Sequence, residues 1–187
     1  MTRHLLLLPA ALACLAAAPA PKTPPAKAPA AKVAPAKPAA KAAPAAPYDA
    51  QNPQGLMEIL GAAGAKVQTS RKDQDSVFVT VTSTAANFSL QFAGCNPQGR
   101  VCQAALFDSL LDGGSPGLGQ INGFNQTSVF CRVYQDKAGK AHAIYAALLV
   151  KSDTRDSALT HLAAWQGCLG EARGFVRDPV AYLAEAA

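Results

Sequence analysis

Alternating apolar and polar residues mark the middle of the chain. Val77, Val79 and Val81 alternate with polar or aromatic neighbours, and after a Ser-Thr-Ala turn Phe88 and Phe92 continue the same alternation. A period of two residues is that of a half-buried β-strand, so the two runs predict a hairpin. We expect further strands over 66–71, 101–106, 128–135 and 141–150, the last two joined by a turn with Gly139 at its left-handed position.

Helical spacing of apolar residues frames these strands. Asn52 and Pro53 begin a helix predicted over 53–63, and a short second helix is expected from Leu118. Asp153 is the expected cap of a long third helix, whose apolar stripe can lie across the sheet, and Pro179 can begin a last short helix. This order of elements, a helix, strands, a helix, strands and a helix, predicts an α+β domain over residues 48–187. Its sheet is expected to be mainly antiparallel and packed against helices.

The first 18 residues have the pattern of a secretory signal peptide. A short basic start, Thr2-Arg3-His4, precedes an apolar run that ends at Ala18. This run is shorter than the roughly 20 helical residues that span a bilayer. Small residues at the required positions allow cleavage after Ala18 or Ala20. The sequence therefore predicts a periplasmic or secreted protein.

Cys14 adds a second interpretation of this leader. Ala11-Leu12-Ala13-Cys14 fits a permissive form of the bacterial lipobox, in which the cysteine becomes acylated. Ala11 stands where such boxes usually have leucine. Cys14 is therefore either the lipidation site of a membrane-anchored lipoprotein or a residue discarded with the signal peptide.

Residues 19–47 have the composition of a disordered linker. They comprise 13 Ala, 9 Pro, 5 Lys, one Thr and one Val, which predicts an extended chain without a core. The five lysines account for the net charge of +5, so the remainder is close to neutral and does not have the basic character of a nucleic-acid-binding module. The evenly spaced lysines favour either weak contact with an anionic membrane or cell wall, or a solubilising spacer.

Four cysteines remain after processing. Their even number in an oxidising compartment predicts two disulfides, and we favour Cys95 with Cys102 and Cys131 with Cys168. Two buried thiols are the alternative for the second pair. A metal site is not expected, since there is no Cys-x-x-Cys pair and His142 and His161 are scattered.

No pattern in the chain indicates catalysis. The glycine-rich stretch 113–119 lacks the Lys-Ser/Thr of a phosphate-binding loop, and no serine stands in a Gly-x-Ser-x-Gly elbow. His142 is expected to be an exposed strand residue, and Asp108 and Asp112 give little support for a carboxylate pair. We therefore expect a non-enzymatic protein without a cofactor.

Aromatic residues near the C-terminus allow two interpretations. Trp165, Phe175 and Tyr182 could together line a peptide groove, or they could pack in the core, which is the more common role for such residues.

Four short motifs resemble the YbjN-like family, whose members are described as bacterial sensory-transduction regulators. They are Phe92-Ala93-Gly94-Cys95, Cys102-Gln103-Ala104-Ala105-Leu106-Phe107, Ile121-Asn122-Gly123-Phe124-Asn125 and Phe130-Cys131-Arg132-Val133-Tyr134-Gln135-Asp136. The resemblance covers about residues 53–172, with Phe124 in place of the usual tryptophan. It implies a fold like that of type III secretion chaperones and no catalytic residues.

The motif positions Asn122, Phe124, Asn125, Arg132 and Tyr134 are expected to be structural. Asn122 and Asn125 are interpreted as residues that tie the second helix to the adjacent strands, with a ligand-binding role as the alternative.

Together these expectations describe an exported, non-enzymatic binding or adaptor domain of the bacterial cell envelope, with a regulatory role as one interpretation and an unknown protein or peptide partner. The alternative is a structural spacer or lipoprotein whose basic arm contacts the membrane or cell wall.

Overall fold

Six antiparallel strands form one sheet in the computed structural model, which describes residues 47–186. The predicted signal peptide, Cys14 and residues 19–46 of the predicted linker lie outside the described residues. The strands are β1 (Lys66–Lys72), β2 (Ser76–Thr82), β3 (Asn87–Ala93), β4 (Ala104–Leu110), β5 (Arg132–Gln135) and β6 (Ala141–Leu148). Their order across the sheet is β1-β2-β3-β4-β6-β5, so β5 and β1 are its two edges.

Four helices complete the domain. They are α1 (Pro53–Ala62), α2 (Leu118–Thr127), α3 (Arg155–Arg177) and α4 (Pro179–Ala186). The chain passes from β4 through α2 to the far edge at β5 and returns by a hairpin to β6. The α+β class with an antiparallel sheet is confirmed. Within the described part of the chain, no helix combines the length and the apolar character needed to cross a membrane.

The cap of α1 is confirmed, whereas the predicted cap of α3 is wrong. Asn52 accepts a hydrogen bond from the Gln54 amide, as expected. Thr154, not Asp153, caps α3, because its hydroxyl accepts from the Ser157 amide. Asp153 instead accepts from the backbone N–H of Val150 and closes the turn that precedes the helix.

Two predicted strands begin later than expected. The strand predicted over 101–106 starts at Ala104, because Val101 has a positive φ of 55° and the Cys102 amide donates outside the sheet, to the Gln51 carbonyl. The strand predicted over 128–135 starts at Arg132. The preceding residues form a loop in which the Cys131 amide donates to the Ser128 hydroxyl. Gly139 has the expected positive φ, 76°.

One face of the sheet packs against the helices. Its buried side chains join those of α1, α2 and α3 in a single hydrophobic core. At the centre, Trp165 of α3 lies with its ring 5.6 Å from those of Phe88 and Phe107. Burial of these aromatic rings supplies much of the apolar area that the domain removes from water.

The opposite face, here called the open face, carries the alternate side chains of the same strands. Phe78, Leu106, Ile144 and Leu148 lie on it, and none of them belongs to the hydrophobic core. Leu148 is 77% exposed. The open face is therefore a solvent-facing surface on which these apolar side chains are interspersed with polar ones, Gln91 and Asp108 among them.

Candidate binding groove

Both predicted cysteine pairings are present in the structure. Cys95 is joined to Cys102 across the β3–β4 loop, and Cys131, just before β5, is joined to Cys168 in the middle of α3. All four cysteines are buried. The second bond fastens the long helix to one edge of the sheet. Two disulfides fit an oxidising compartment rather than the reducing cytoplasm.

Asn125 ties α2 to the edge of the sheet. Its amide nitrogen donates to the Val133 carbonyl at 3.0 Å, and its amide oxygen accepts from the Val133 N–H at 2.9 Å. Asn122, on the same helix, is exposed and makes no side-chain hydrogen bond within residues 47–186. The tie therefore runs through Asn125.

The other motif positions also have structural contacts. Phe124 is fully buried and lies against the rings of Phe175, at 4.8 Å, and Tyr182, at 5.5 Å. The Arg132 guanidinium donates to the carbonyls of Ser128 and Cys131, at 2.8 and 2.7 Å. Arg132 thereby holds the loop that leads into β5.

A group of four polar side chains, here called the polar cluster, lies on β4, β5, β6 and the β5–β6 turn. Its members are Asp108, Tyr134, Asp136 and His142. The Tyr134 hydroxyl donates to Asp108 at 2.6 Å, and Nδ1 of His142 lies 3.0 Å from the same carboxylate. Nε2 of His142 lies 3.6 Å from Asp136. The prediction of His142 as an exposed strand residue is wrong, since its side chain is only 18% exposed. Asp112, considered with Asp108 as a carboxylate pair, lies outside the cluster.

The polar cluster shifts the pKa values of two of its members. Desolvation, followed by the hydrogen bond to Asp108, raises the pKa of Tyr134 well above its usual range. The hydrogen bond from the Lys140 amide is the largest cause of the lowered pKa of Asp136, and the nearby His142 lowers this pKa further. Both imidazole nitrogens of His142 thus face carboxylates, at 3.0 Å for Asp108 and 3.6 Å for Asp136. No group of residues within the described range has the geometry of a metal site.

An apolar groove opens on the helical side of the domain, and we call it the α1–α3 groove. It lies between the end of α1, the β2–β3 turn and α3, and its volume is about 190 Å³. No charged side chain lines it. Its walls are small and aliphatic residues with two aromatic rings, namely Leu60, Ala63, Gly64, Ala65, Val81, Ser83, Thr84, Ala85, Ala86, Phe88, Leu162, Trp165, Gln166 and Leu169.

Trp165, which lines this groove, is buried and has an indole N–H without a hydrogen-bond acceptor in the described part of the chain. The side chain is 1% exposed, and its indole N–H has no hydrogen-bond acceptor within the described residues. It is the sole buried side-chain polar atom there without a partner. Leaving a buried N–H unpaired costs about 1–3 kcal/mol, so the position is poised to gain from an acceptor.

The three aromatic residues considered for a peptide groove are not all brought together. Phe175 and Tyr182 pack on Phe124 between α2, α3 and α4, whereas Trp165 alone lines the α1–α3 groove. The core interpretation is therefore correct for Phe175 and Trp165, which are both buried in the hydrophobic core, and Tyr182 packs against that core. His161 hydrogen-bonds the Tyr145 hydroxyl at 2.8 Å and is half-buried, which agrees with a boundary residue.

The groove was not recognised from the sequence because its walls come from three distant segments. The signal available was the run of small residues at 61–65 and 83–86, which predicts turns but does not place them beside α3. Comparison of the chain with family models, with curated proteins and with solved structures finds no match. Membership of the YbjN-like family and the chaperone-like detail of the fold therefore stay predictions.

Proposed function

We propose that this chain is an exported, non-enzymatic binding or adaptor domain of the bacterial cell envelope that holds an extended, apolar peptide segment of a partner protein in the α1–α3 groove. The observation that carries the proposal is the buried, unpaired indole N–H of Trp165, a residue that lines this apolar groove. The predicted signal peptide and the two disulfides support the location.

The chemistry of the groove specifies the ligand. A lining without charges favours an uncharged segment, since an ionised group would lose its hydration without finding a partner. The small residues Ala63, Gly64 and Ala85 allow a peptide backbone to approach closely. A backbone carbonyl supplies the acceptor that Trp165 lacks. The volume of about 190 Å³ exceeds the roughly 150 Å³ of a cavity that accepts benzene, so one large apolar side chain fits.

Binding requires a small rearrangement at the floor of the groove. The indole nitrogen is covered in this structure, whereas Phe88 and Leu162 beside it are only half-buried. We infer that a shift of Phe88, whose ring lies 5.6 Å from that of Trp165, would open a path for an acceptor. Side-chain rotamer changes of this kind are common when proteins bind peptides.

Site-specific photocrosslinking in cells tests the proposal. A photoreactive phenylalanine analogue replaces Ala85 on the rim of the groove, and the same analogue replaces Val180, which is 71% exposed on α4 and does not line the groove. We expect an adduct with an envelope protein at position 85 and none at position 180. Filling the groove with Ala63→Phe should abolish the adduct. Absence of an adduct at position 85, or one that survives Ala63→Phe in a folded protein, contradicts the proposal.

The alternative function is that of an envelope spacer or lipoprotein whose basic arm contacts an anionic membrane or the cell wall. It is supported by the five lysines spaced four or five residues apart in segment 19–47. Replacing all five with glutamine should then release the protein from isolated envelopes, while Ala63→Phe should have no effect. Mass spectrometry of the mature N-terminus distinguishes acylated Cys14 from cleavage after Ala18 or Ala20.

A further inference from the structure

The α1–α3 groove continues along the surface towards the point where the described part of the chain begins. A second depression, of about 420 Å³, shares three wall residues with the groove, namely Ala63, Leu162 and Gln166. A third, of about 520 Å³, shares three with the second, namely Ile59, Ala62 and Arg155. Pro47 lies in the wall of the third depression. The three form one path between α1 and α3, here called the helix trough, from Pro47 to Trp165.

The helix trough becomes less charged with distance from Pro47. Asp49 and Glu58 line only the depression beside Pro47. Among the described residues, Arg155 is the one charged residue in the wall of the middle depression, and the groove has none. Leu159 of α3 lines the middle depression and is 44% exposed. An occupant that reaches the groove along this path is therefore expected to be uncharged.

The residues that precede Pro47 have a matching composition. Residues 42–46, Ala-Ala-Pro-Ala-Ala, lie outside the described part of the chain and carry no charged side chain. Between residues 19 and 41, uncharged runs are only three or four residues long, because lysines interrupt them. Cleavage of the predicted signal peptide after Ala18 or Ala20 leaves residues 42–46 in the mature protein.

The length of this run fits the helix trough. Tyr48 lies against Gly55, since a Cβ added to Gly55 would stand 2.9 Å from the Tyr48 ring. From Gly55 to Ala63 the helix rises about 12 Å, at about 1.5 Å per residue. Five residues in the polyproline conformation span about 15 Å, at about 3.1 Å per residue. The run is therefore long enough to reach the α1–α3 groove before Lys41 has to enter it.

We propose that residues 42–46 bind in the helix trough of the same chain and present a backbone carbonyl to the indole N–H of Trp165. This regulatory contact rests on the proposed function, because it takes the α1–α3 groove as a peptide-binding site. A polyproline chain makes no internal hydrogen bonds, so its carbonyls can pair with the donor that Trp165 carries. Aromatic-lined grooves are typical sites for proline-rich chains.

Occupation by the chain's own segment regulates access to the groove. A segment joined directly to the domain has an effective concentration of the order of millimolar, so a weak contact is enough to keep it in place. A partner peptide then has to displace residues 42–46, and its apparent affinity falls by the fraction of molecules in which the groove is free. The groove is thereby restricted to partners that bind more tightly than this segment.

The indole N–H of Trp165, the single tryptophan of the chain, gives one NMR signal that reports the contact. Ala43→Asp with Ala45→Asp places two charges in the run. Ala28→Asp with Ala30→Asp is the matched control, since each pair stands on either side of one proline. We expect the first pair to shift the indole proton upfield, because its hydrogen bond is lost, and the control to leave the signal unchanged. Identical indole signals in the wild type and both variants, as exported and oxidised proteins, overturn the proposal.

Photocrosslinking of the purified full chain tests where the segment lies. The photoreactive phenylalanine analogue at position 85 should form an adduct within one chain, and peptide mapping should place it within residues 41–46. Ala63→Phe should remove this adduct, and circular dichroism melting checks that the variant is folded. The absence of an adduct, an adduct between two copies, or one elsewhere in the chain overturns the proposal.

Docking of the segment and binding of a partner are separable by experiment. In cells, Ala43→Asp with Ala45→Asp should raise the yield of the envelope-protein adduct at position 85 several-fold, because the groove is freed. An envelope-protein adduct without any change in the indole signal overturns the docking of residues 42–46 and leaves the proposed function in place. A changed indole signal without an envelope-protein adduct, in the wild type and in the variant, does the reverse.

Discussion

The side chain of Asn125 pairs with both backbone groups of Val133, donating to the carbonyl at 3.0 Å and accepting from the N–H at 2.9 Å. Val133 lies on the edge strand β5, so these groups have no strand to pair with. The amide side chain takes the place of a neighbouring strand. α2 is thereby fixed to the sheet, and the edge is closed.

Asn125→Ala should therefore destabilise the domain. The substitution leaves two partly buried backbone groups unpaired, and we expect a loss of about 1–3 kcal/mol in the free energy of unfolding. Urea denaturation followed by circular dichroism measures it. Asn122→Ala, on the same helix but exposed, should change stability by less than about 0.5 kcal/mol. Equal effects of the two substitutions would contradict the structural role of Asn125.

The two disulfides should contribute unequally. In the loop-entropy description, the bond that closes the separation of 37 residues between Cys131 and Cys168 contributes about 4 kcal/mol, and the bond across 7 residues between Cys95 and Cys102 about 2 kcal/mol. Replacing each pair with serine should lower the thermal midpoint, more so for the longer loop. Non-reducing peptide mapping establishes the pairing. Free thiols at these positions in exported protein would refute it.

Ionised Asp136 should stabilise the domain, so protonation of Asp136 in acid should lower the free energy of unfolding. Its pKa is lowered in the folded state, chiefly by the Lys140 amide, so its ionised form stabilises the fold. That stability is present above the ordinary pKa of aspartate and is lost as the pH falls through the lower, folded-state pKa. Thermal midpoints of Asp136→Asn should fall less steeply with acid than those of the wild type. The exposed Asp112→Asn is the control and should follow the wild type.

Export of the protein should depend on residues 2–18. Deletion of residues 2–18 should leave the protein in the cytoplasm with its cysteines reduced, because the signal for export is lost. Cell fractionation and thiol alkylation measure the two effects. Equal amounts of the shortened and full-length proteins in the periplasm would show that the leader is not a signal peptide.

The elements of the fold followed from local patterns, whereas the contacts between them did not. The alternation from Val77 to Val81 identified β2, and Asn52 followed by Pro53 identified the start of α1. The late start of β4 was missed because Val101 adopts a left-handed conformation that valine rarely takes, and no residue type announces it.

The candidate sites depend on long-range pairing that a single sequence does not specify. The polar cluster needs the register that places Tyr134 beside His142 and the β4–β6 pairing that brings Asp108 to them. The α1–α3 groove needs the packing of α3 against two separate turns. The cysteine pairs are easier to predict from the sequence, because four cysteines allow only three pairings.

The bond between Cys131 and Cys168 spans the β5–β6 hairpin turn, which lies on the surface at Lys137 and Ala138. A protease that cuts this turn would separate the chain into two pieces, one ending after β5 and the other containing β6 and α3. The two pieces would remain covalently joined through sulfur. Such a nicked protein would migrate as one chain until it is reduced, so a single backbone cleavage would not release either half of the domain.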